Sequence, residues 1–322
     1  MAGLIKKNYP GCKIYFLGRT YTKDIVALTE HVDEFINYDE LEKMDHKAQV
    51  NFLKGLQADV FLHVFPKKQI AALAKAANIP LRVGTTNRIY HWLTCNKLIK
   101  LSRKNSLLHE AQLNLKLLSF LNINTELGLE DIPDYYGFKR LPQLEEKYKT
   151  LIAKDKFNLV LHPKSKGSAK EWGLSNFEKL MTLLPKDKFN IFISGTEQDG
   201  KQMKDFLAKN KNITDITGKL TLAQFIAFIN ACDGLVAAST GPLHIAAALN
   251  KKAIGLFSPK RPIHPGRWRP LGKNAHTLVF DQDCVKCEKK EECDCISRIK
   301  PEQILALLNT ETPDRALSSA RG

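Results

Sequence analysis

The residues best suited to chemistry lie in the turn Ala237-Ala-Ser-Thr-Gly-Pro-Leu-His244. A buried strand is predicted to end at Ser239 and Thr240, which are both favourable N-caps for a following helix. Gly241 permits a close approach of the backbone, and the proline after it suits a first helical turn. Unpaired N–H groups at such a helix start favour a phosphate, although ordinary strand-to-helix connections use the same residue types. For His244, packing is the simpler interpretation and a phosphate contact is the alternative.

Three other loops follow predicted strands of the second half and also carry polar side chains. Residues 161–172 offer cations and hydroxyls from Lys164, Ser165, Lys166, Ser168 and Lys170. A solvated basic surface is the simpler interpretation for the lysines at 164 and 166. Residues 193–197 end in Glu197, whose carboxylate either binds ribose or sugar hydroxyls or only favours a first helical turn. The last loop, residues 258–272, is basic, aromatic and rich in proline.

Ligands of parallel α/β sheets bind beyond the carboxyl ends of the strands. We therefore expect these four loops to converge on one edge of a sheet and to form a site for a phosphorylated ligand. The chain contains neither GxxxxGK[ST] nor GxGxxG. This absence argues against a P-loop and against a classical dinucleotide site.

The charge of the chain is positive and unevenly distributed. It has 49 Lys and Arg against 34 Asp and Glu, and residues 60–109 contain no acidic residue. Nine basic residues fall in that stretch: Lys67, Lys68, Lys75, Arg82, Arg88, Lys97, Lys100, Arg103 and Lys104. Such a stretch favours an anionic partner, such as a phosphorylated substrate, an anionic membrane face or a nucleic acid, over a merely solvated surface. No recognised nucleic-acid motif occurs, so we expect no nucleic acid.

Four of the seven cysteines are close in sequence, at Cys284, Cys287, Cys293 and Cys295. The first ten residues have no secretory hydrophobic region, so we expect a cytoplasmic protein with reduced thiols. Clustered thiolates can hold zinc, but structural sites more often use two well-separated CxxC pairs. The sequence therefore favours plain thiols in a surface excursion, and we predict no metal.

The elements that must position these residues alternate between short apolar runs and amphipathic stretches. Strands are predicted at 13–17, 35–38, 60–65, 81–83, 158–161, 190–194, 234–237, 253–257 and 277–280. Helices are predicted at 69–77, 109–121, 176–184, 198–208, 222–232, 243–249 and 301–308. This alternation predicts an α/β fold with parallel sheets. We place one domain at 1–150, a second at 151–310 and a loose tail at 311–322, with the polar segment 122–156 as the linker.

The start of the chain reads as the end of a helix that runs into a strand at Lys13. In a parallel sheet such a helix arrives from an earlier strand, and none precedes it here. The first strand of a doubly wound domain is usually central. We therefore expect the first domain to lack its first strand and loop, with a gap in its sheet.

The second half resembles glycosyltransferase family 9, the ADP-heptose:lipopolysaccharide heptosyltransferases of Gram-negative bacteria. The similarity covers about residues 157–310, and the matching segments are HPKSKGSAKEW, ISGTE, ITGKLTLAQ, STGPLHIAAAL and IGLFSPKRPIHPGRWRPLG. The first half is weakly similar, chiefly at residues 81–84 and 109–114. The resemblance implies a GT-B fold with two Rossmann-like domains facing a cleft. It also implies an inverting transfer of heptose from ADP-heptose to the lipopolysaccharide inner core, without a catalytic metal or a cofactor.

The resemblance also implies roles for individual residues on the donor side. Lys170 matches the lysine that neutralises the donor pyrophosphate, and Glu197 and Leu220 match positions beside the ribose and the adenine. The phosphate-binding turn corresponds to Thr240, Gly241 and His244. Ser165 is a candidate hydroxyl ligand, and Ser239 stands where some members of the family carry Asp.

The acceptor side is less complete. The family's general base is an Asp in a Gly-Asp loop after the first strand, and neither Asp24 nor Asp39 has that context. No base is therefore nominated, and a nucleotide-sugar-binding remnant without turnover is the alternative function. An anionic lipid acceptor at the inner face of the cytoplasmic membrane would suit Arg82, Arg88, Lys97, Arg103 and Lys104, so we expect peripheral membrane contact.

Overall fold

The computed structural model describes residues 1–103, 106–289 and 291–310. The chain forms two compact units, which meet in sequence at Arg140 and Leu141. The predicted boundary near residue 150 falls inside the second unit. The predicted loose tail at 311–322 lies outside the described residues.

Unit 1 contains two small parallel sheets. β1 (Tyr15–Gly18) pairs with β2 (Glu34–Asn37), and a separate sheet has the order β3 (Val60–Leu62), β4 (Leu81–Thr85) and β5 (Lys97–Ile99). No ladder joins the two sheets within the described residues. The helices of this unit are α1 (Ala2–Asn8), α2 (Lys23–Ala27), α3 (Tyr38–Leu41), α4 (His46–Gly55), α5 (Lys68–Ala76), α6 (Ile89–Thr94) and α7 (Glu110–Leu115).

In unit 1 one strand is absent from the sequence predictions, and one predicted helix is wrong in part. β5 was not predicted, because a three-residue strand that begins with an exposed lysine carries no alternating pattern. The predicted helix at 109–121 is α-helical only to Leu115 and continues as the 3₁₀ helix Lys116–Leu121, while the 3₁₀ helices Thr20–Thr22 and Ile132–Tyr135 complete the unit.

Unit 2 is built on one six-stranded parallel sheet. In chain order its strands are β6 (Phe157–His162), β7 (Phe189–Ile193), β8 (Thr214–Asp215), β9 (Gly234–Ala238), β10 (Lys252–Phe257) and β11 (Ala275–Val279). Their order across the sheet is β11-β10-β9-β6-β7-β8. Every residue of β9 and β10 is buried, because helices cover both faces of a parallel sheet and leave no side for water.

The helices of unit 2 follow the strands in the expected alternation. They are α8 (Glu146–Lys149), α9 (Leu174–Leu183), α10 (Glu197–Gln202), α11 (Lys204–Lys209), α12 (Leu222–Ala231), α13 (Gly241–Ala248), α14 (Pro265–Trp268), α15 (Val285–Glu288) and α16 (Pro301–Asn309), with the 3₁₀ helix Cys295–Arg298 before the last. The single helix predicted at 198–208 is two helices, α10 and α11, and the two-residue strand β8 was not predicted.

Buried Lys252 fixes the end of α16 to the sheet. Its ammonium group donates to the carbonyl oxygens of Leu307 and Leu308 at 3.0 and 3.3 Å. A cation at a helix C-terminus satisfies unpaired carbonyls and opposes the negative end of the helix dipole.

The predicted linker is ordered and divided between the two units. On unit 1, Glu30 N donates to Gly137 O at 2.8 Å. On unit 2, Glu145 N donates to the Gln224 side chain at 2.9 Å. The segment therefore makes backbone hydrogen bonds to residues that are distant in sequence in both units.

Candidate functional site

The strands of unit 2 bring the predicted loops to one edge of its sheet. β9 lies between β10 and β6, and β6 lies next to β7. All of these pairs are parallel, and His162 of β6 is in register with Ala237 of β9. The loops that follow β6, β7, β9 and β10 therefore emerge side by side, as the sequence predicted.

The turn after β9 presents an unpaired hydroxyl at a helix start. Thr240 is the N-cap of α13 and is only 7% exposed, but its side chain makes no capping hydrogen bond. Its Oγ1 atom is fully buried and has no hydrogen-bond partner among the residues that the structure describes. A buried hydroxyl without a partner is costly in a folded protein, which makes this group a candidate hydrogen-bond donor to a ligand.

The next residue of the turn faces open space. A Cβ atom added to Gly241 would have no neighbour within 4 Å, so packing against the described residues does not require a glycine here. A bound group that approaches the backbone N–H closely would require one. Ser239 is half-buried before the turn, and half-buried His244 follows one turn into the helix.

The loop after β6 is organised by Glu171, which the sequence analysis did not identify. Its carboxylate accepts from Ser165 N at 3.0 Å and from the Lys164 ammonium group at 2.7 Å. Lys164 is therefore part of the loop's framework, and its interpretation as a solvated cation is wrong. The buried Ser165 hydroxyl donates to Ala169 O at 2.6 Å, so in this conformation its proton serves the loop and not a ligand.

Lys170 has the opposite character. Its side chain is exposed, and it makes no hydrogen bond or ion pair with any residue of the described ranges. Two residues later, Trp172 is buried and its indole donates to Ile299 O at 2.9 Å. The loop thus carries a lysine that is unpaired among the described residues, while the buried Trp172 fixes the loop in place.

The loops after β7 and β8 are joined at a glycine. Gly218 N donates to Gly195 O at 3.0 Å, and the φ angle of Gly218 is +68°. A Cβ on Gly218 would lie 2.8 Å from the Cα of Glu197. Glu197 and half-buried Leu220 are therefore held in neighbouring loops. The Glu197 carboxylate is exposed and pairs with Lys201 at 2.7 Å.

Half-buried His162 and buried Asp199 support the same edge and carry no sequence signal. His162 contacts the Ser194 hydroxyl at 2.9 Å, and burial lowers the pKa of His162 to about 4. The imidazole is therefore neutral at physiological pH. Asp199 caps the start of α10 by accepting from Thr196 N at 2.7 Å. Only the fold reveals that His162 joins the ends of β6 and β7 and that Asp199 closes the turn before α10.

The basic residues predicted to bind an acceptor divide into two kinds. Arg82 donates to the carbonyl oxygens of Thr94, at 2.8 Å, and of Ile79. Arg103 pairs with Glu110 at 2.7 Å. Both guanidinium groups hold unit 1 together, and their interpretation as acceptor ligands is not supported by these contacts.

The remaining basic candidates differ from these two arginines. Arg88, the N-cap of α6, and Lys97, in β5, are exposed. Lys104 lies outside the described residues.

Neither acidic residue considered as a base gains support. Asp39 accepts from Thr20 N at 2.7 Å and pairs with Arg19 at 2.5 Å. The hydrogen bond from Thr20 and the Arg19 guanidinium lower the pKa of Asp39 to about 2. Such a carboxylate is a poor proton acceptor near neutral pH. Asp24 lies in the first turn of α2.

One group of side chains has the geometry of a metal site. The Sγ atoms of Cys284, Cys287, Cys293 and Cys295 lie within 4.8 Å of one another. Three of the four thiols are buried, which differs from the surface thiols that the sequence favoured. No described helix is long and apolar enough to cross a membrane.

Comparisons with known proteins agree with this architecture. The family model described as Glycosyltransferase family 9 (heptosyltransferase) matches residues 50–295. A Haemophilus influenzae protein named "Putative glycosyltransferase" is 24% identical over 86% of this chain and 82% of its own length. Lipooligosaccharide heptosyltransferase 2 of Campylobacter jejuni is 28% identical over 43% of this chain and 46% of its own length.

A solved structure shows the same fold at low identity. The E. coli heptosyltransferase WaaC with ADP superimposes with a TM-score of 0.70. The two chains are 15% identical, and the superposition covers 95% of this chain and 92% of that one. The fold is accordingly the α/β GT-B type. Since the family model covers most of the sequence, the chain belongs to glycosyltransferase family 9 and is a glycosyltransferase.

Proposed function

We propose that this protein transfers a heptose from ADP-heptose to an acceptor of the lipopolysaccharide inner core, with inversion and without a catalytic metal or cofactor. The names of the relatives support this substrate class, since several are lipopolysaccharide or lipooligosaccharide heptosyltransferases. The observation that carries the proposal is the buried, unpartnered hydroxyl of Thr240 at the start of α13.

The turn after β9 would bind the donor diphosphate. The Thr240 hydroxyl would donate to a phosphate oxygen and regain the hydrogen bond that it lacks. The free N–H groups at the start of α13 would add further donors and the positive end of the helix dipole. The open space at Gly241 is where such a group approaches the backbone, and His244 stands one turn along the same helix.

The other loops would bind the rest of the donor. Lys170 would neutralise the pyrophosphate, because its ammonium group is exposed and is committed to none of the described residues. Glu197 would accept from the ribose hydroxyls by exchanging its surface pair with Lys201, which is worth little in water. Leu220 would pack beside the adenine, while Ser165 shapes the loop and Ser239 borders the sugar.

Inversion places the acceptor hydroxyl opposite the leaving diphosphate at the anomeric carbon. As the bond to the diphosphate breaks, negative charge grows on its bridging oxygen. Lys170 and the start of α13 would stabilise that charge without a divalent cation. The acceptor hydroxyl must also lose its proton, and we assign no general base to any described residue.

Unit 1 would hold the anionic acceptor and contact the membrane that carries it. Arg88 and Lys97 are exposed, in contrast to Arg82 and Arg103. Ile89, Trp92 and Leu93 of α6 are exposed next to Arg88. Exposed apolar residues beside cations are suited to an anionic lipid surface.

The donor site is tested by calorimetry with ADP on the Thr240→Val variant. Valine keeps the shape of threonine and removes the hydroxyl, so ADP should bind about tenfold more weakly, as expected for one hydrogen bond to a charged group. The thermal stability of the free protein should stay constant or rise, because a buried unsatisfied group is removed. Unchanged ADP affinity would contradict the proposal.

Thr29→Val is the matched control. The Thr29 hydroxyl donates to Tyr136 O at 2.7 Å in unit 1. Its loss should lower stability and leave ADP affinity unchanged. The pair therefore separates a binding hydroxyl from a structural one.

Transfer itself is tested by following ADP release from ADP-heptose with a lipid acceptor that lacks the added heptose. Product formation supports the enzyme. ADP binding without transfer would instead identify the chain as a donor-binding remnant.

Membrane contact is tested by sedimentation with vesicles that contain phosphatidylglycerol. The double variant Arg88→Glu and Lys97→Glu should bind several-fold less than the wild type. The control Lys186→Glu and Lys188→Glu makes the same change of charge at exposed positions of unit 2. Equal losses in both variants would show only an effect of net charge and would contradict a specific surface.

A further inference from the structure

The four cysteines near the end of unit 2 form a compact group. The Sγ atoms of Cys284 and Cys293 are 3.4 Å apart, and those of Cys293 and Cys295 are 3.0 Å apart. All four are free thiols. Cys287, Cys293 and Cys295 are 2%, 8% and 3% exposed, and Cys284 is half-buried. We call these residues the cysteine group.

The spacing of these sulfurs fits one tetrahedral metal ion. Zinc binds thiolates at about 2.3 Å, which places the corners of a regular tetrahedron roughly 3.8 Å apart. The longest separation in the cysteine group is below 4.8 Å. An iron–sulfur cluster interposes several irons and sulfides between its thiolates, so it requires wider spacing. The geometry therefore favours a single ion that prefers tetrahedral sulfur ligands, which is typical of zinc.

The segment around the group has no other interior. Among the described residues from 281 to 295, only the four cysteines are buried or half-buried, and every other side chain is exposed. The hydrophobic cluster that these described residues form consists of the four cysteines alone. A segment of this size cannot be held by burying apolar surface that it does not have, and small structures of this kind are commonly held by a metal.

Hydrogen bonds to sulfur complete the arrangement. Cys295 N donates to Cys293 Sγ at 3.4 Å, and the buried Ser258 hydroxyl lies 3.3 Å from Cys287 Sγ. Donors of this kind stabilise and orient metal-bound thiolates. Ser258 follows β10 directly, so the group is attached to the same sheet edge as the loop 258–272.

We propose that the cysteine group binds one Zn²⁺ through all four thiolates as a structural site. Four protein ligands close the coordination sphere, so the ion has no open position for substrate or water. Binding replaces the thiol protons with the metal and releases them to solvent. The ion fixes α15 and the chain that follows it against Ser258, and it thereby supports the loop after β10.

The test is the metal content of the full-length protein, purified under reducing conditions without a chelator. Mass spectrometry of metals should find about one zinc per chain in the wild type. The Cys287→Ser and Cys295→Ser variants should each contain about a tenth of the wild-type zinc or less. Cys12→Ser changes a half-buried free thiol in unit 1 and should keep the full amount.

Two measurements on the wild type keep the proposal testable if the serine variants do not fold. Removal of the metal with a strong chelator should lower Tm, and zinc should restore it. Cobalt added to the metal-free protein should give the charge-transfer and d–d bands of a tetrahedral tetrathiolate site. Absence of zinc before and after equimolar addition, stoichiometric iron in its place, or full zinc in both serine variants would each overturn the proposal.

Discussion

The two units use the same alternation of strands and helices but bury their strands to different extents. In unit 2 the strands β9 and β10 are buried along their whole length, and a single sheet carries the candidate donor loops. In unit 1 the described strands form a pair and a triplet, and β1, β2, β3 and β5 have exposed or half-buried side chains at most positions. Strands with little buried surface are held less strongly.

This difference matters for function. The proposed diphosphate site needs donors held in fixed positions, and the buried sheet of unit 2 would hold them in the loops at its edge. A lipid acceptor would instead bind to an exposed surface, and unit 1 has exposed apolar and basic residues on and before α6. The proposed donor site therefore lies in the better-packed unit.

The largest contrast is expected between two phenylalanines. Phe228 is fully buried in unit 2, with its ring edge on Phe192 at 4.8 Å between centroids. Phe16 of unit 1 is 41% exposed and stacks on Phe35 at 6.2 Å. Phe228→Ala should cost about 3–5 kcal/mol of unfolding free energy, as for other buried aromatic residues. Phe16→Ala should cost less than about 1 kcal/mol.

Urea unfolding followed by circular dichroism and by tryptophan fluorescence, to which Trp92 of unit 1 and Trp172 of unit 2 contribute, measures both costs. Trp172 reports on unit 2, because its indole is enclosed there. Equal costs for the two substitutions would show that unit 1 is packed as firmly as unit 2 and would remove the contrast.

The second effect in size is on catalysis and concerns two lysines of one loop. Lys170→Ala should reduce kcat roughly 10²–10³-fold, the usual cost of losing one group that stabilises charge in the transition state. Lys166 is also exposed and lies four residues earlier in the same loop. Lys166→Ala should change kcat by less than about twofold, since an exposed charge outside the site contributes little.

Steady-state kinetics with varied ADP-heptose measure this difference. Neither substitution removes a contact of the loop's framework, which Glu171, Lys164 and Ser165 supply. Equal losses of kcat in both variants would mean that the loop contributes only a general positive field, and Lys170 would lose its assigned role.

The sequence predicted unit 2 more fully than unit 1 for a physical reason. Buried parallel strands are continuous apolar runs, and the residues that end them, such as Thr240 and Gly241, are the residues that start helices. β5 and β8 were missed because strands of three and two residues have no readable period. The prediction that the loops converge at one edge of the sheet required only the order of strands and helices, which can be read from the sequence.

What the sequence could not provide is the partner of each long polar side chain. Arg82 and Lys97 belong to the same basic stretch, but the Arg82 guanidinium is committed to backbone carbonyls and the Lys97 side chain is exposed. Glu171 gave no signal because its role depends on the folded loop. The cysteine spacing is unlike that of common zinc sites, and only the fold shows that the four sulfurs meet.

The smallest of the expected effects is on stability at mildly acidic pH, and it involves one histidine in each unit. Burial, then the charges of His91 and Arg82, lowers the pKa of His63 in unit 1 to about 4. Burial likewise lowers the pKa of His162 in unit 2 to about 4. The unfolded chain takes up a proton near pH 6.5, whereas the folded chain resists it until about pH 4. The unfolded state therefore binds more protons in this range, and stability falls as the pH falls.

Each histidine should remove about 1 kcal/mol of stability between about pH 6.5 and 5.5, since one pKa unit corresponds to about 1.4 kcal/mol. His63→Gln and His162→Gln should each flatten this dependence by the same amount in urea unfolding at a series of pH values. NMR titration gives the pKa of each imidazole directly. A normal pKa for His63 beside a lowered one for His162 would show that water reaches the interior of unit 1, and the contrast between the units would then be larger than their packing indicates.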